Sequence, residues 1–427
     1  MTALDISMTS VALPDIARSL GISAGLVVWI IMANTLVIVL TLLPFAAIAE
    51  RFGAHRLFVV GLSVFMVSAI ACALSTSFLS LLIARVFQGL GASMLMCLFG
   101  GLVRHTYPMR LMRFGISLNA LSTGLTSVLG PTIGAFILGI TSWRWIFAVY
   151  LPIGVACYFG VRYLPDVSRR KRRFDWLACG LSMIMFAGAI LGLDALAHTP
   201  LRGVGLLCLA LLMGLVLVRR SRDETAPFVP VDLFRIPPVA FAAMASSLSF
   251  AAQMAAFVAL PFYFLSVLGK NYTETGFLLG AWSLGVAAMA PMAGLLIGRF
   301  QVAVLCGLGA FAMAFAMTLL LILPSSLSFF YLAAVMLLGG VGFGFFQSPN
   351  NHALLTGAPK RRSAAIGALQ AIMRVFGQSF GTALVAIGFN IGGNHPAVAG
   401  VAMAIVCALG ALLVNVLRYF HPAPDIQ

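Results

Sequence analysis

The sequence predicts an all-α integral membrane protein, two six-helix bundles with a helix pair inserted between them. Three observations carry that prediction. Hydrophobic residues fill 62% of the 427 positions and charged residues only 9%, against about 25% charged in ordinary soluble chains. Apolar runs of about 20 residues, enough to cross a hydrocarbon layer of about 30 Å, follow one another along almost the whole chain. Landmarks of the first 164 residues return in the same order about 250 residues later.

Taken in order, the apolar segments fall roughly at 1–14, 24–47, 57–75, 78–102, 114–138, 143–164, 174–193, 203–218, 238–266, 275–298, 302–323, 328–347, 363–389 and 396–418. Helices are the form in which such open-ended segments satisfy their backbone in lipid, so fourteen transmembrane helices are expected. The 26 Lys and Arg residues then sort by side. Twenty lie on one side with the C-terminal tail, four (Arg18, Arg144, Arg202, Lys270) on the other, and Arg85 and Arg374 fall inside segments. Cytoplasmic loops hold the basic excess, which predicts a multi-pass membrane protein with both termini in the cytoplasm. The net charge of +15 thus anchors loops rather than binding nucleic acid. The run "SRRKRR" (168–173) reads as a loop against anionic membrane lipid.

"VALP" occurs at 11–14 and again at 258–261. Arg51–Phe52 and Arg299–Phe300 stand 248 apart, "GPTIGAFIL" (130–138) and "GQSFGTALV" (377–385) 247 apart, and "GLG" (89–91) and "GVG" (340–342) 251 apart. Four landmarks in register predict two related halves, 1–164 and 238–427, with residues 165–237 inserted as a loop and two helices. Two similar bundles that rock against each other are one transporter architecture, with the binding site near the midplane between them. Segment 1, ended at Pro14, reaches only about 21 Å at 1.5 Å per residue, and some 10–15 further residues are expected before it, by comparison with segment 9.

Charges within lipid are costly, about 2.5–3.5 kcal/mol at a helix centre, and mark function. Asp5, Arg85 and Arg374 are the candidates. For Asp5, burial favours the neutral acid while a nearby guanidinium favours the carboxylate. A group balanced between the two can load and release a proton. The intramembrane amides Asn34, Gln88, Asn119, Gln253, Gln347, Gln370 and Gln378, together with Arg374, are candidates to line a wet substrate cavity, or else to bond helix to helix. With one intramembrane acid, the site suits lipophilic neutral, anionic or monocationic compounds better than dications. The seven cysteines lie in apolar segments without ligand spacing and read as small hydrophobes. The six histidines form no metal site, and there is no HExxH or P-loop, so enzyme chemistry, a metal and ATP drive are not expected.

Several stretches in combination carry a family resemblance. "LDISMTSVALP" (4–14) resembles the L-D-x-T-x-x-N-V-A-L-P signature of the fourteen-helix drug:proton antiporters, the EmrB/QacA branch of the major facilitator superfamily. "AERFGAHR" (49–56) resembles the superfamily loop G-x-L-A-D-R-x-G-R-R, "ARVFQGLGAS" (84–93) its R-x-x-Q-G-x-G, and "GPTIGA" (130–135) the antiporter motif G-P-x-x-G-G. "WRWIFAVYLPIG" (143–154) and "FFQSPNN" (345–351) are similar too. Departures include Ser7 for Thr, Ser10 for Asn, Ala46 for Gly, Glu50 for Asp, and Thr126 and Ala135 for glycines. Asn34 stands where the family often has Tyr, and Tyr150 where it often has Asn.

The resemblance implies a major facilitator fold and proton-coupled multidrug efflux with no cofactor beyond the proton gradient. It assigns proton coupling to Asp5 and Arg85, and a gating loop to Glu50, Arg51, Gly53 and Arg56. The occluding, close-packed antiporter motif falls on Gly130, Pro131 and Gly134. It allows a periplasmic adaptor and an outer-membrane channel as partners. A metabolite importer or uniporter on the same fold, and a non-transporting sensor or lipid-handling protein, are the alternatives.

Overall fold

The computed structural model describes residues 1–106, 126, 129–161, 175–221, 229–297, 299–322, 328–357, 363–393 and 395–421. Its helices are α1 Thr2–Leu20, α2 Ala24–Val27, α3 Trp29–Phe52, α4 Ala54–Leu74, α5 Phe78–Thr106, α6 Leu129–Ile140, α7 Arg144–Ala148 and α8 Tyr150–Val161. They continue as α9 Trp176–His198, α10 Pro200–Arg220, α11 Pro237–Phe262, α12 Tyr272–Leu296, α13 Val302–Ile322, α14 Phe329–Thr356, α15 Ser363–Ile391 and α16 Pro396–Phe420.

Twelve spans among the described residues are long and apolar enough to cross a membrane, with α2–α3 and α7–α8 each counting as one. The expected fourteen is not reached, for two reasons. Of segment 5, only the 12-residue α6 is a described continuous helix. α1 has 19 residues but carries Asp5, Asp15 and Arg18. The structure also corrects the length of segment 1. Pro14 lies inside α1 rather than at its end, so the helix runs about 28 Å instead of 21 Å. A proline removes one backbone donor and strains the turn before it. α11 shows the same tolerance at Pro261, where the helix runs on into a π turn, Tyr263–Val267. Both VALP copies are wholly buried.

The repeated landmarks reappear as repeated packing. In "GLG", Gly89 lies against the Asn34 carbonyl of α3 and Gly91 against Gly61 and Phe65 of α4; a Cβ on Gly91 would stand 2.6 Å from the Phe65 nitrogen. In "GVG", Gly340 lies against Trp282 of α12 and Gly342 against Gly309 and Met313 of α13. Each pair thus seats its helix on the second and third helices of its own group. The fifth helices follow suit: Gly130 and Gly134 of α6 meet Ser7 and Met8 of α1, and Gly377 and Gly381 of α15 meet Ser247 and Ala251 of α11.

Between the groups α1–α8 and α11–α16, α1 packs on α11, α3 on α15, and α6 on α12 where Gly276 abuts Pro131 and Ala135. The α9–α10 hairpin, closed by an ion pair between Arg220 and Asp175 at 3.2 Å, attaches through α9, which touches both α3 and α15. α10 turns large apolar residues outward, Leu201, Leu211 and Leu212 among them.

One end of the molecule is latched. The Arg18 guanidinium donates to the Tyr272 hydroxyl, which donates to Asp15 at 3.2 Å. Nearby, the Thr132 hydroxyl donates to the Gly276 carbonyl at 3.5 Å, and Gly25 sits against the Asn390 side chain. These joins between the groups all lie toward the Arg18 end.

Candidate functional site

The densest polar cluster lies inside the first group. α1 supplies Asp5, one turn from its start, and α5 supplies Arg85 and Gln88, three residues apart and hence on one face. α3 supplies Asn34 and the Ile30 carbonyl. Arg85 is fully buried and Asp5 is 1% exposed. Arg85 Nη1 donates to Asp5 Oδ1 at 2.7 Å and Oδ2 at 2.8 Å, and to Gln88 Oε1 at 2.6 Å. Arg85 Nε donates to the Ile30 carbonyl at 3.0 Å, and the guanidinium lies 5.6 Å from the Phe147 ring centre. Its Nη2 has no hydrogen-bond partner among the described residues.

Tyr150, also fully buried, holds its hydroxyl close to the Asp5 carboxyl. A charge pair this buried is stable only while both members stay matched, because a lone survivor keeps the full cost of desolvation. Chemically it is a two-state element. With Asp5 ionised the pair is closed; with Asp5 protonated, Arg85 loses its only carboxylate partner among the described residues.

The sequence-predicted residues divide sharply. Asp5 and Arg85 come together. Gln88 and Asn34, expected in the cavity, are fully buried in this cluster instead; Asn34 Nδ2 donates to the Arg85 carbonyl at 3.5 Å. Their positions on α5 and α3 face the neighbouring helices, which an amide count cannot reveal. Gln253, Gln347, Gln370, Gln378 and Arg374 are partly exposed, and their side chains bond to no described residue. Asn119 lies outside the described residues.

Gly130 and Gly134 hold α6 against α1 at Ser7 and Met8, beside Asp5, while the Pro131 carbonyl lies on the other face, 3.2 Å from where a Cβ on Gly276 would stand. The motif therefore bridges the ion pair's helix and the second group. At the α3–α4 corner, Gly53 takes φ 99°, ψ 139°, a backbone region in which a Cβ is strained. Arg51 and Arg56 are exposed there, with Arg51 lying over the Phe52 ring at 5.6 Å, and neither pairs with an acid among the described residues. The Glu50 side chain lies outside the described part of the structure.

Sequence reasoning missed the Arg18–Tyr272–Asp15 latch. A usable signal existed, since Arg18 is one of four basic residues on the sparse side, and Tyr272 opens α12 beside an Asn271–Glu274 capping box.

The chain is similar to known transporters over nearly its full length. It is 38% identical to an uncharacterised transporter, YebQ, of Escherichia coli over 99% of this chain and 93% of that protein. It is 26% identical to the riboflavin transporter RibZ of Clostridioides difficile, over 90% of this chain and 84% of the relative. The multidrug resistance protein Stp of Mycobacterium tuberculosis is 28% identical over 90% of this chain and 73% of its own length. The Major Facilitator Superfamily model matches residues 1–382, and the chain, a multi-pass membrane protein, belongs to that superfamily of transporters.

Proposed function

We propose that this transporter is a proton-coupled exporter of lipophilic small molecules, a drug:proton antiporter of the EmrB/QacA type. In this reading residues 1–164 and 238–427 are the rocking halves and 165–237 the inserted pair. α1 and the segment ending in α6 complete fourteen transmembrane segments. Both termini face the cytoplasm of a bacterial cell, and the latched Arg18 end faces outward.

The observation that carries the proposal is the buried Asp5–Arg85 pair. Protonation of Asp5 from the outside releases Arg85. α1 then shifts against α6, and α6, lodged against α12 at Gly276, passes the movement to the second half. Cargo leaves as the proton moves inward. One inward proton releases about 2.3 kcal/mol per 100 mV of membrane potential and about 1.4 kcal/mol per pH unit, enough for uphill export without a cofactor. A periplasmic adaptor and outer-membrane channel fit this reading as partners.

Everted membrane vesicles test it. Respiration acidifies their lumen, and cargo added outside should dissipate the pH gradient with wild type and not with Asp5→Asn, at equal protein levels. Gradient loss undiminished in Asp5→Asn would sink the mechanism. A second reading, carriage of a metabolite without proton exchange, has the riboflavin-transporting relative behind it. It predicts riboflavin movement in the same vesicles with no change in the pH gradient.

A further inference from the structure

Arg374 is the intramembrane cation that the proton site leaves over. It stands eleven residues into the 29-residue α15, about 17 Å along a helix of about 43 Å, close to its middle. Ile372 and Val375 beside it are buried. Phe376, about 200° further round the helix, meets Phe186 of α9 with ring centres 5.6 Å apart. Arg374 therefore points away from α9. On its flank Gly377 packs on Ser247 of α11, and between these contacts Arg374 is partly exposed. Gln370 and Gln378 stand one turn either side on the same face, and Gly367, a further turn down, has open space around it.

A guanidinium at this depth needs a counter-charge or a wet cavity. The described acids do not supply the charge. Asp5 is taken by Arg85, Asp175 by Arg220, and Asp15 belongs to the latch. Glu274 caps α12, Asp232 lies in the turn before α11, and Asp194 is on α9, the helix from which Arg374 is turned away. Glu50 lies in the last turn of α3. Near Arg374 the described residues place open amides and no carboxylate.

We propose that Arg374, with Gln370 and Gln378, seats the anionic headgroup of the cargo, and that the cargo class is lipophilic organic monoanions such as carboxylates and sulfonates. The proposal rests on the transport reading above and narrows it. A guanidinium offers two parallel N–H donors that match a carboxylate, and the amide Nε2 groups add neutral donors on either side. The ligand's charge completes a site that the described residues leave one charge short. An anion also leaves down an inside-negative voltage, so its export and the inward proton draw on the same field. Labour is divided between the groups: a closed ion pair in the first, an open cation in the second.

The test is equilibrium binding to the purified full-length chain, using three probes of one shape: 2-naphthoate, neutral 2-naphthamide and cationic 2-naphthylmethylammonium. Wild type should prefer the carboxylate over the amide by roughly tenfold to hundredfold, the worth of a charge-assisted hydrogen bond. Arg374→Gln should bring that ratio near one, and Arg374→Lys, which keeps the charge and loses the fork, should restore part of it. A wild-type ratio near one, no binding of 2-naphthoate, or a ratio unchanged in Arg374→Gln overturns the proposal, and the wild-type ratio decides the matter even if a variant fails to fold. Asp5→Asn should keep the ratio. A carboxylate preference without proton exchange in vesicles would remove the antiport reading and leave the anion seat. Proton exchange with cargo that ignores Arg374 would do the reverse.

Discussion

Asn34 and Tyr150 each depart from the antiporter pattern, and the structure makes the two departures one. Both side chains belong to the surroundings of the Asp5–Arg85 pair, Asn34 against the Arg85 carbonyl and Tyr150 beside the carboxyl. Against the pattern that the resemblance implies, an amide and a phenol stand exchanged around one charge pair. The expected result is non-additivity. Asn34→Tyr and Tyr150→Asn should each lower thermal stability in detergent, and the double variant should recover about 0.5–3 kcal/mol of the summed loss; simple addition would show the residues to be independent. The ion pair gives a second cycle. Arg85→Gln, which strands a buried acid, should cost about 3–5 kcal/mol, and adding Asp5→Asn should return most of that stability while leaving proton exchange absent. Asp5 and Arg85 were legible because a charge in an apolar run has few explanations. The amides were not, because the same residue type is buried and bonded at Gln88 and partly exposed without a described partner at Gln370, and only packing separates them.

At the scale of helices, the glycine pairs do the positioning. A Cβ at Gly340 would run into the Trp282 backbone and one at Gly91 into the Phe65 backbone, and neither backbone can turn aside as a side chain could. Gly340→Ala and Gly91→Ala should each lower stability by about 1–3 kcal/mol, the usual range for overpacking, read as a fall in melting temperature of the purified protein. Gly205→Ala on α10, with nothing within 4 Å, should stay within about 1 kcal/mol of wild type. The landmarks made this repeated packing legible in the sequence because close packing constrains spacing. Helix ends were less legible. Pro14 reads as a stop, yet α1 passes through it, since the tertiary contacts of a buried helix outweigh one lost hydrogen bond. Segment 5 could be placed by its apolar run, but its described helix is too short to count among the twelve.

For the whole molecule, the latch sets which end is closed. Tyr272→Phe removes the hydroxyl that accepts from Arg18 and donates to Asp15, at about 1 kcal/mol per bond, and should shift the population toward release of that end by several-fold. Spin labels at Ser19 and Ser266, both exposed, should report longer distances in the variant than in wild type; an unchanged distribution would mean the latch carries no weight. Hydropathy announced an all-helical, multi-pass membrane protein, whereas the latch at one end was invisible, because that depends on side chains meeting across 250 residues of chain. The inserted hairpin has a consequence of its own. α9 lies along the seam between α3 and α15, while at the opposite seam α6 and α12 touch with no further described helix between them. The two flanks therefore present different faces to the bilayer, one shuttered and one bare. A greasy compound sliding sideways out of the lipid would meet one helix fewer at the bare one.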